Sequence, residues 1–256
     1  MSDTVRYETQ GSVAIVTITR PDSMNAFDTE LRSALSEELQ KAGDDANIRA
    51  IVLTGEGRCF SAGADLKDSS WDRPVTEILL EEYRPIQQII ASIPKPIIAA
   101  VPGSAAGIGL SVALQCDLMI MADNAFLLSP FTTISLVPDG GLNWLLVHQL
   151  GYRRAFQLSV ESERIPADRC VELGLANKAV PADELMDQAM AWAKKLADRA
   201  PLSLAATKKA MRHAANNTLD STYELEAQLQ GELVGCDDNK EGVAAFFEKR
   251  APQFKG

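Results

Sequence analysis

Histidine and cysteine are scarce in this chain, and their scarcity removes several chemistries at the outset. His148 and His213 are its two histidines; Cys59, Cys116, Cys170 and Cys236 lie far apart, with no Cys-x-x-Cys or Cys/His ligand spacing. That pattern does not fit a zinc site and instead predicts reduced, mostly buried thiols in a reducing compartment. Long apolar runs are missing too: none reaches the roughly 18–20 residues of a membrane span. The opening MSDTVRYETQG has neither the basic nor the apolar region of a secretion signal. The expectation is a cytoplasmic, soluble protein. Positive charge is also short, with 25 Lys and Arg against 35 Asp and Glu. A surface of that sign repels phosphate backbones, which argues against a nucleic-acid partner but leaves room for a local basic patch. What the chain has in quantity is apolar residues, 46% of 256, enough for one large α/β domain or a main domain with a small appendage.

The apolar pattern alternates between strand and helix. Residues 12–19 (SVAIVTIT) read as a strand between Gly11 and Pro21. Asp28 then suits a helix N-cap, with Leu31, Ala34, Leu35, Leu39 and Ala42 on one face. Residues 49–54, 97–101 and 117–121 read as buried strands, and 107–116 as a small, tightly packed helix. Residues 75–93 look helical, with Pro85 placed to kink or split them. Short apolar strands alternating with helices predict an α/β fold with mostly parallel pairing. From about residue 182 the pattern is helical throughout, so this tail docks either on its own core or on a neighbouring subunit.

Two glycine-containing segments follow predicted strands: Cys59 to Lys67 (CFSAGADLK) and Pro102 to Leu110 (PGSAAGIGL). Small residues let a main chain approach a ligand, and a helix starting there aims free N–H groups at it. Two such donors on one oxygen make an oxyanion hole. Each segment alone is more often simply a tight packing turn. Neither has dinucleotide-fingerprint or P-loop spacing.

Taken together with Met24-Asn25-Ala26-Phe27, IVLTGEGRCFSAGADLK, KPIIAAVPGSAAGIG, CDLMIMADNAFL, LVPDGG and GVAAFFEKR, in this order and spacing, the sequence resembles the crotonase (enoyl-CoA hydratase/isomerase) superfamily over essentially its whole length. The resemblance implies a crotonase-type spiral of ββα units, with residues 1–200 forming the core and 201–256 a C-terminal helical trimerisation region. It further implies a homotrimer or hexamer acting on an acyl-CoA thioester, with coenzyme A as part of the substrate and no separate cofactor. Ala64 and Ile108 would supply the two oxyanion N–H groups; many members carry glycine where this chain has Ile108. A main-chain donor tolerates that change while φ stays negative. Met24, Asn25 and Ala26, with Ala62, Gly63, Ala64, Asp65 and Leu66, would cradle the CoA moiety. Phe246 and Lys249 match positions that touch CoA from the C-terminal helix, Lys249 meeting a phosphate as a point charge or remaining a solvated helix lysine.

The reaction depends on carboxylates. Hydratases of the family use two glutamates, and this chain has Ser111 and Phe131 at those positions. Asp139, in Leu136-Val137-Pro138-Asp139-Gly140-Gly141, falls where isomerase branches keep a sole acid/base. One carboxylate can move a proton from C2 to C4 and so shift a double bond into conjugation. Asp139 also suits a helix N-cap. The expected activity is therefore isomerisation of a 3-enoyl-CoA to the 2-enoyl-CoA. Alternatives are hydration, another lyase or hydrolase step, nucleophilic attack by Asp139, or a non-catalytic acyl-CoA-binding scaffold. Asp68, Asp72 and Glu77 read as solvated surface, Asp117 and Asp123 as turn residues, and His148 as packed or capping.

Overall fold

A computed structural model describes residues 3–256. Ten strands form two sheets: β1 Val5–Gln10, β2 Val13–Ile18, β3 Ala50–Gly55, β4 Cys59–Ser61, β5 Ile97–Val101, β6 Ser104–Ala106, β7 Leu118–Ala122, β8 Phe126–Leu128, β9 Ile165–Pro166 and β10 Lys178–Val180. The larger sheet runs β1-β2-β3-β5-β7-β10 and the smaller β4-β6-β8-β9. Pairing from β2 through β10 in the larger sheet is parallel; β1 at its edge and β9 at the edge of the smaller sheet are antiparallel.

The order repeats. β3, β5 and β7 each enter the larger sheet, and after a short link β4, β6 and β8 each enter the smaller one, after which helix carries the chain back. That is a spiral of ββα turns. Strands β2, β3 and β5 are buried at every position, which is why they read as unbroken apolar runs.

The helices are α1 Thr29–Asp44, α2 Val75–Ile78, α3 Arg84–Ser92, α4 Ile108–Gln115, α5 Leu142–Leu150, α6 Tyr152–Glu161, α7 Ala167–Leu173, α8 Leu185–Ala197, α9 Pro201–Ala214, α10 Leu219–Leu233 and α11 Asp237–Glu248. Asp28 caps α1, its carboxylate accepting from Leu31 N at 2.8 Å, and the expected leucine–alanine stripe is buried. Pro85 does not split the 75–93 segment: α2, a π-helical turn at Leu79–Tyr83 and α3 run on as one helical stretch over 75–92, and the π turn lies directly before Pro85, whose missing N–H leaves a gap in the helical bonding.

Two acids differ from their expected roles, both because a buried cation needs a counter-ion. Asp117 holds α9 to the core: it pairs with Lys208 at 2.7 Å and Arg212 at 2.9 Å, and accepts from Ile97 N at 2.9 Å. Asp68 is drawn under the surface by Arg32, 3.0 Å away, whose guanidinium on α1 is almost wholly buried and also meets Glu82 at 2.8 Å. Asp72 and Glu77 are exposed, as expected.

Candidate active site

The smaller sheet brings three loops together. Cys59 pairs with Ser104 and Ser61 with Ala105, while Ser104 pairs with Phe126 and Ala106 with Leu128. The segments leaving β4, β6 and β8 therefore emerge side by side at equivalent points on successive turns. They carry Ala64, Ile108 and, further on, Phe131 and Asp139.

The first loop is shaped by main-chain pairing. Phe27 and Ala64 form a parallel bridge, with Phe27 N donating to Gly63 O at 2.8 Å and Asp65 N to Phe27 O at 3.0 Å. Ala62 N donates to Met24 O at 2.9 Å. Asn25 is fully buried with a left-handed backbone (φ 55°); its side chain accepts from Arg20 N and donates to the carbonyls of Glu56 and Cys59. Both ends of that amide are thus committed to the main chain, so Asn25 builds the cradle's shape from beneath. Ala26 is also buried, whereas Met24 is open to solvent and Leu66 is 68% exposed. Asp65 is held by Arg20 at 3.1 Å and by Lys67 N at 3.0 Å, and its carbonyl accepts from the Trp71 indole at 2.8 Å.

Gly63 (φ 108°) lets this loop touch the second. A Cβ there would stand 3.1 Å from Ala106 O and 3.6 Å from Gly107 Cα. The close approach puts Ala64 beside the start of α4, where Ile108 is the first residue. First-turn N–H groups have no helical acceptor. Among the described residues, neither Ala64 N–H nor Ile108 N–H meets an acceptor. An oxyanion hole needs two such donors free on adjoining segments.

Asp139 lies in the third loop. The helix behind it begins only at Leu142, with Gly141 as N-cap and no side-chain cap bond, so the capping role does not hold. The carboxylate has no hydrogen bond or ion pair among the described residues. It is half-buried, and burial pushes its pKa up to about 6. Its charge in turn helps push Tyr83 up to about 12, after burial as the main cause; Arg32 opposes the rise.

The loop itself is held at three consecutive carbonyls. Pro138 O accepts from Asn143 Nδ2 at 2.6 Å, Asp139 O from Leu142 N at 3.0 Å, and Gly140 O from the Ser111 hydroxyl. Ser111 is fully buried and accepts from Gln87 Nε2 at 3.2 Å. Phe131 is buried, its ring beside Gly107. Leu136 and Trp144, the other apolar residues around Asp139 in the sequence, are exposed in the single chain, and Trp144 stacks on His148 at 3.9 Å.

A match to the model of the enoyl-CoA hydratase/isomerase family extends over residues 8–256. The chain belongs to that family. It is 42% identical over 254 residues to the protein named "Probable enoyl-CoA hydratase" of Rhodobacter capsulatus, covering 99% of this chain and 98% of the relative. It is 36% identical to 1,2-epoxyphenylacetyl-CoA isomerase of Escherichia coli, with both chains fully covered. Among solved structures, an enoyl-CoA hydratase subunit of Geobacillus kaustophilus superposes with a TM-score of 0.94 at 32% identity over all of both chains. The spiral is thus the crotonase fold, and the protein is an enzyme of this family, whose members act on acyl-CoA thioesters.

Phe246 and Lys249, expected from the family resemblance to touch CoA, lie on and at the end of α11. Phe246 is 78% exposed and packs edge-on to Phe247, and Lys249 ends α11 in a left-handed conformation. Neither makes a described hydrogen bond, ion pair or ring contact with residues 24–26 or 62–66. Arg32, Tyr83, Gln87 and the hydrogen bond of Ser111 were not legible beforehand. Each acts through a partner 24 or more residues away, and no local spacing reports such pairs.

Because the folded carboxyl of Asp139 titrates near 6 against 3.8 for an ordinary aspartate, protonation favours the folded state. The penalty is absent below about pH 3.8, grows between 3.8 and 6, and is complete above 6. Asp139→Asn should therefore raise stability by about 1–2 kcal/mol at pH 8, allowing for the solvent the half-buried oxygens retain. Thermal melts should show that gain shrinking towards zero as the pH is lowered to 4. A gain equal at both pH values would contradict the assignment.

Proposed function

We propose that the enzyme isomerises a 3-enoyl-CoA to the conjugated 2-enoyl-CoA, with Asp139 as its one acid/base. The observation that carries this reading is the state of Asp139: half-buried, unpartnered among the described residues and raised to about 6, on a loop packed against the side chain of Ile108. A carboxylate with that pKa is mostly ionised at neutral pH, yet basic enough to take a proton next to a thioester.

In the proposed cycle the thioester oxygen accepts from Ala64 N–H and Ile108 N–H. Asp139 removes a proton from C2, and the electron pair moves into the thioester to give a dienolate whose oxygen the two donors hold. Collapse of the dienolate forms the C2–C3 double bond as that between C3 and C4 is lost. Asp139 returns its proton to C4, so no proton is gained or lost overall. Met24, Ala26, Ala62, Asp65 and Leu66 would line the CoA cradle, Asn25 and Gly63 would shape it, and Phe246 and Lys249 would reach it across a subunit boundary.

Hydration is the second reading, favoured by the names of several relatives. Against it, the positions of the hydratase glutamates hold a buried hydroxyl already engaged with Gly140 and Gln87, and a buried aromatic ring. Neither activates water. The similarity to 1,2-epoxyphenylacetyl-CoA isomerase favours isomerisation as the class of step.

Ultraviolet absorbance follows conjugation of a 3-enoyl-CoA directly. Asp139→Asn should lower turnover by about 10² to 10⁴-fold with acyl-CoA binding retained. In the parent enzyme kcat/KM should rise with pH through an apparent pKa near 6 and level off above it, because the base must be ionised. Undiminished turnover in Asp139→Asn would sink the reading.

We also propose that the enzyme is a homotrimer or a hexamer built from trimers. Met211, Tyr223, Phe246 and Phe247 on α9, α10 and α11 are each 69–78% exposed, and a subunit interface on these helices would cover them. Light scattering should return three or six times the 27.7 kDa chain mass, and a mass of one chain would contradict it.

A further inference from the structure

Two consecutive left-handed glycines, Gly140 (φ 61°) and Gly141 (φ 85°), separate Asp139 from the helix that follows it. Glycines at such angles permit the turn but also leave many alternatives to it. An acid/base placed on so permissive a linker needs its position set from outside. Two of the three carbonyl contacts that hold the loop, from Asn143 and Leu142, come from α5, the loop's own continuation. They would move with the loop.

The third contact is different. Ser111 belongs to α4 and donates its hydroxyl proton to Gly140 O, the peptide oxygen one residue past Asp139. Ser111 lies three residues after Ile108, so the two share a face of the helix. The Ile108 side chain lies against the same point: a Cβ added to Gly140 would collide with Ile108 Cδ1. The helix that starts with an oxyanion donor therefore grips the acid/base loop twice, by a hydrogen bond and by a methyl group. Gln87 Nε2, from α3, donates to Ser111 Oγ at 3.2 Å. That leaves the hydroxyl proton directed at Gly140 rather than free to rotate.

We propose that Ser111, oriented by Gln87, is a positioning residue that sets the distance between the Asp139 carboxylate and the oxyanion hole. Its hydroxyl touches no reacting atom; it acts by tying the loop of the base to the helix of the donor. The role rests on Asp139 being the acid/base. It also accounts for the isoleucine at 108, whose side chain supplies the apolar half of the same clamp. A misplacement of about 1 Å in such a pair can cost about a hundredfold in rate.

The test is a double-mutant cycle on the full-length enzyme, using 3-enoyl-CoA turnover, a non-isomerisable saturated acyl-CoA for binding, and melting curves to verify folding. Ser111→Ala should lower kcat about 10- to 100-fold, with KM and saturated acyl-CoA affinity changed less than about threefold. Gln87→Ala, which frees the hydroxyl to rotate, should produce a smaller loss in kcat of the same kind. In the Asp139→Asn background, Ser111→Ala should change the residual rate by less than about twofold, because the group it positions is gone. Equal losses in both backgrounds would place its effect elsewhere and overturn the proposal. So would full activity of Ser111→Ala alongside an inactive Asp139→Asn, which leaves the acid/base reading intact. Full activity of Asp139→Asn would overturn both.

Discussion

Main chain meets main chain where Gly63 passes the Ala106–Gly107 peptide, close enough that a Cβ would be within 3.1 Å of a carbonyl oxygen. Much else in the site follows from that approach. It brings Ala64 next to the start of α4, and among the described residues neither its N–H nor that of Ile108 has an acceptor. Leaving two donors without a protein acceptor costs free energy. The two sheets and the bridge from Phe27 hold them there, and in the proposed reaction they would meet the charge that develops on the thioester oxygen. Any side chain at 63 would push the two segments apart.

A second constraint acts on the acid. A carboxyl with no hydrogen bond is destabilised as an anion, and the raised pKa of Asp139 expresses that. In the proposed reaction the same desolvation would make it basic enough to abstract a proton. The site thus combines donors that lack an acceptor with an acceptor that lacks a donor. Each is a local defect by the rules of folding, and in the proposed reaction the pair would become complementary around a thioester and its acidic C2–H.

Much of the fold was legible because its strands are buried on both faces. Residues 97–101 read as a strand and are β5; the stripe of Leu31, Leu35 and Leu39 is the buried face of α1; the helical pattern from about residue 182 is α8 to α11. Strand β1 was not legible. Five of its six residues are exposed or half-buried, so VRYETQ carries little apolar signal and is a strand because β2 pairs with it. At the site, glycine pattern and family resemblance pointed to Ala64, Ile108 and Asp139. The buried ion pair of Arg32 with Asp68 and the clamp from Ser111 to Gly140 lay beyond reach, since both depend on which loops the spiral stacks. In the sequence Ser111 registers as a missing carboxylate; in the fold it is a hydroxyl with a donor and an acceptor.

The central claim is that one carboxylate serves two carbons of an acyl group whose oxygen sits on two main-chain donors. A crystal structure with a non-reactive 3-enoyl-CoA analogue tests it most directly. The account predicts the thioester oxygen about 2.7–3.1 Å from both Ala64 N and Ile108 N. It also predicts an Asp139 carboxylate oxygen about 3–3.5 Å from C2 and within similar reach of C4. A thioester oxygen bound elsewhere, or an Asp139 well beyond proton-transfer distance of both carbons with no bridging water, would contradict it.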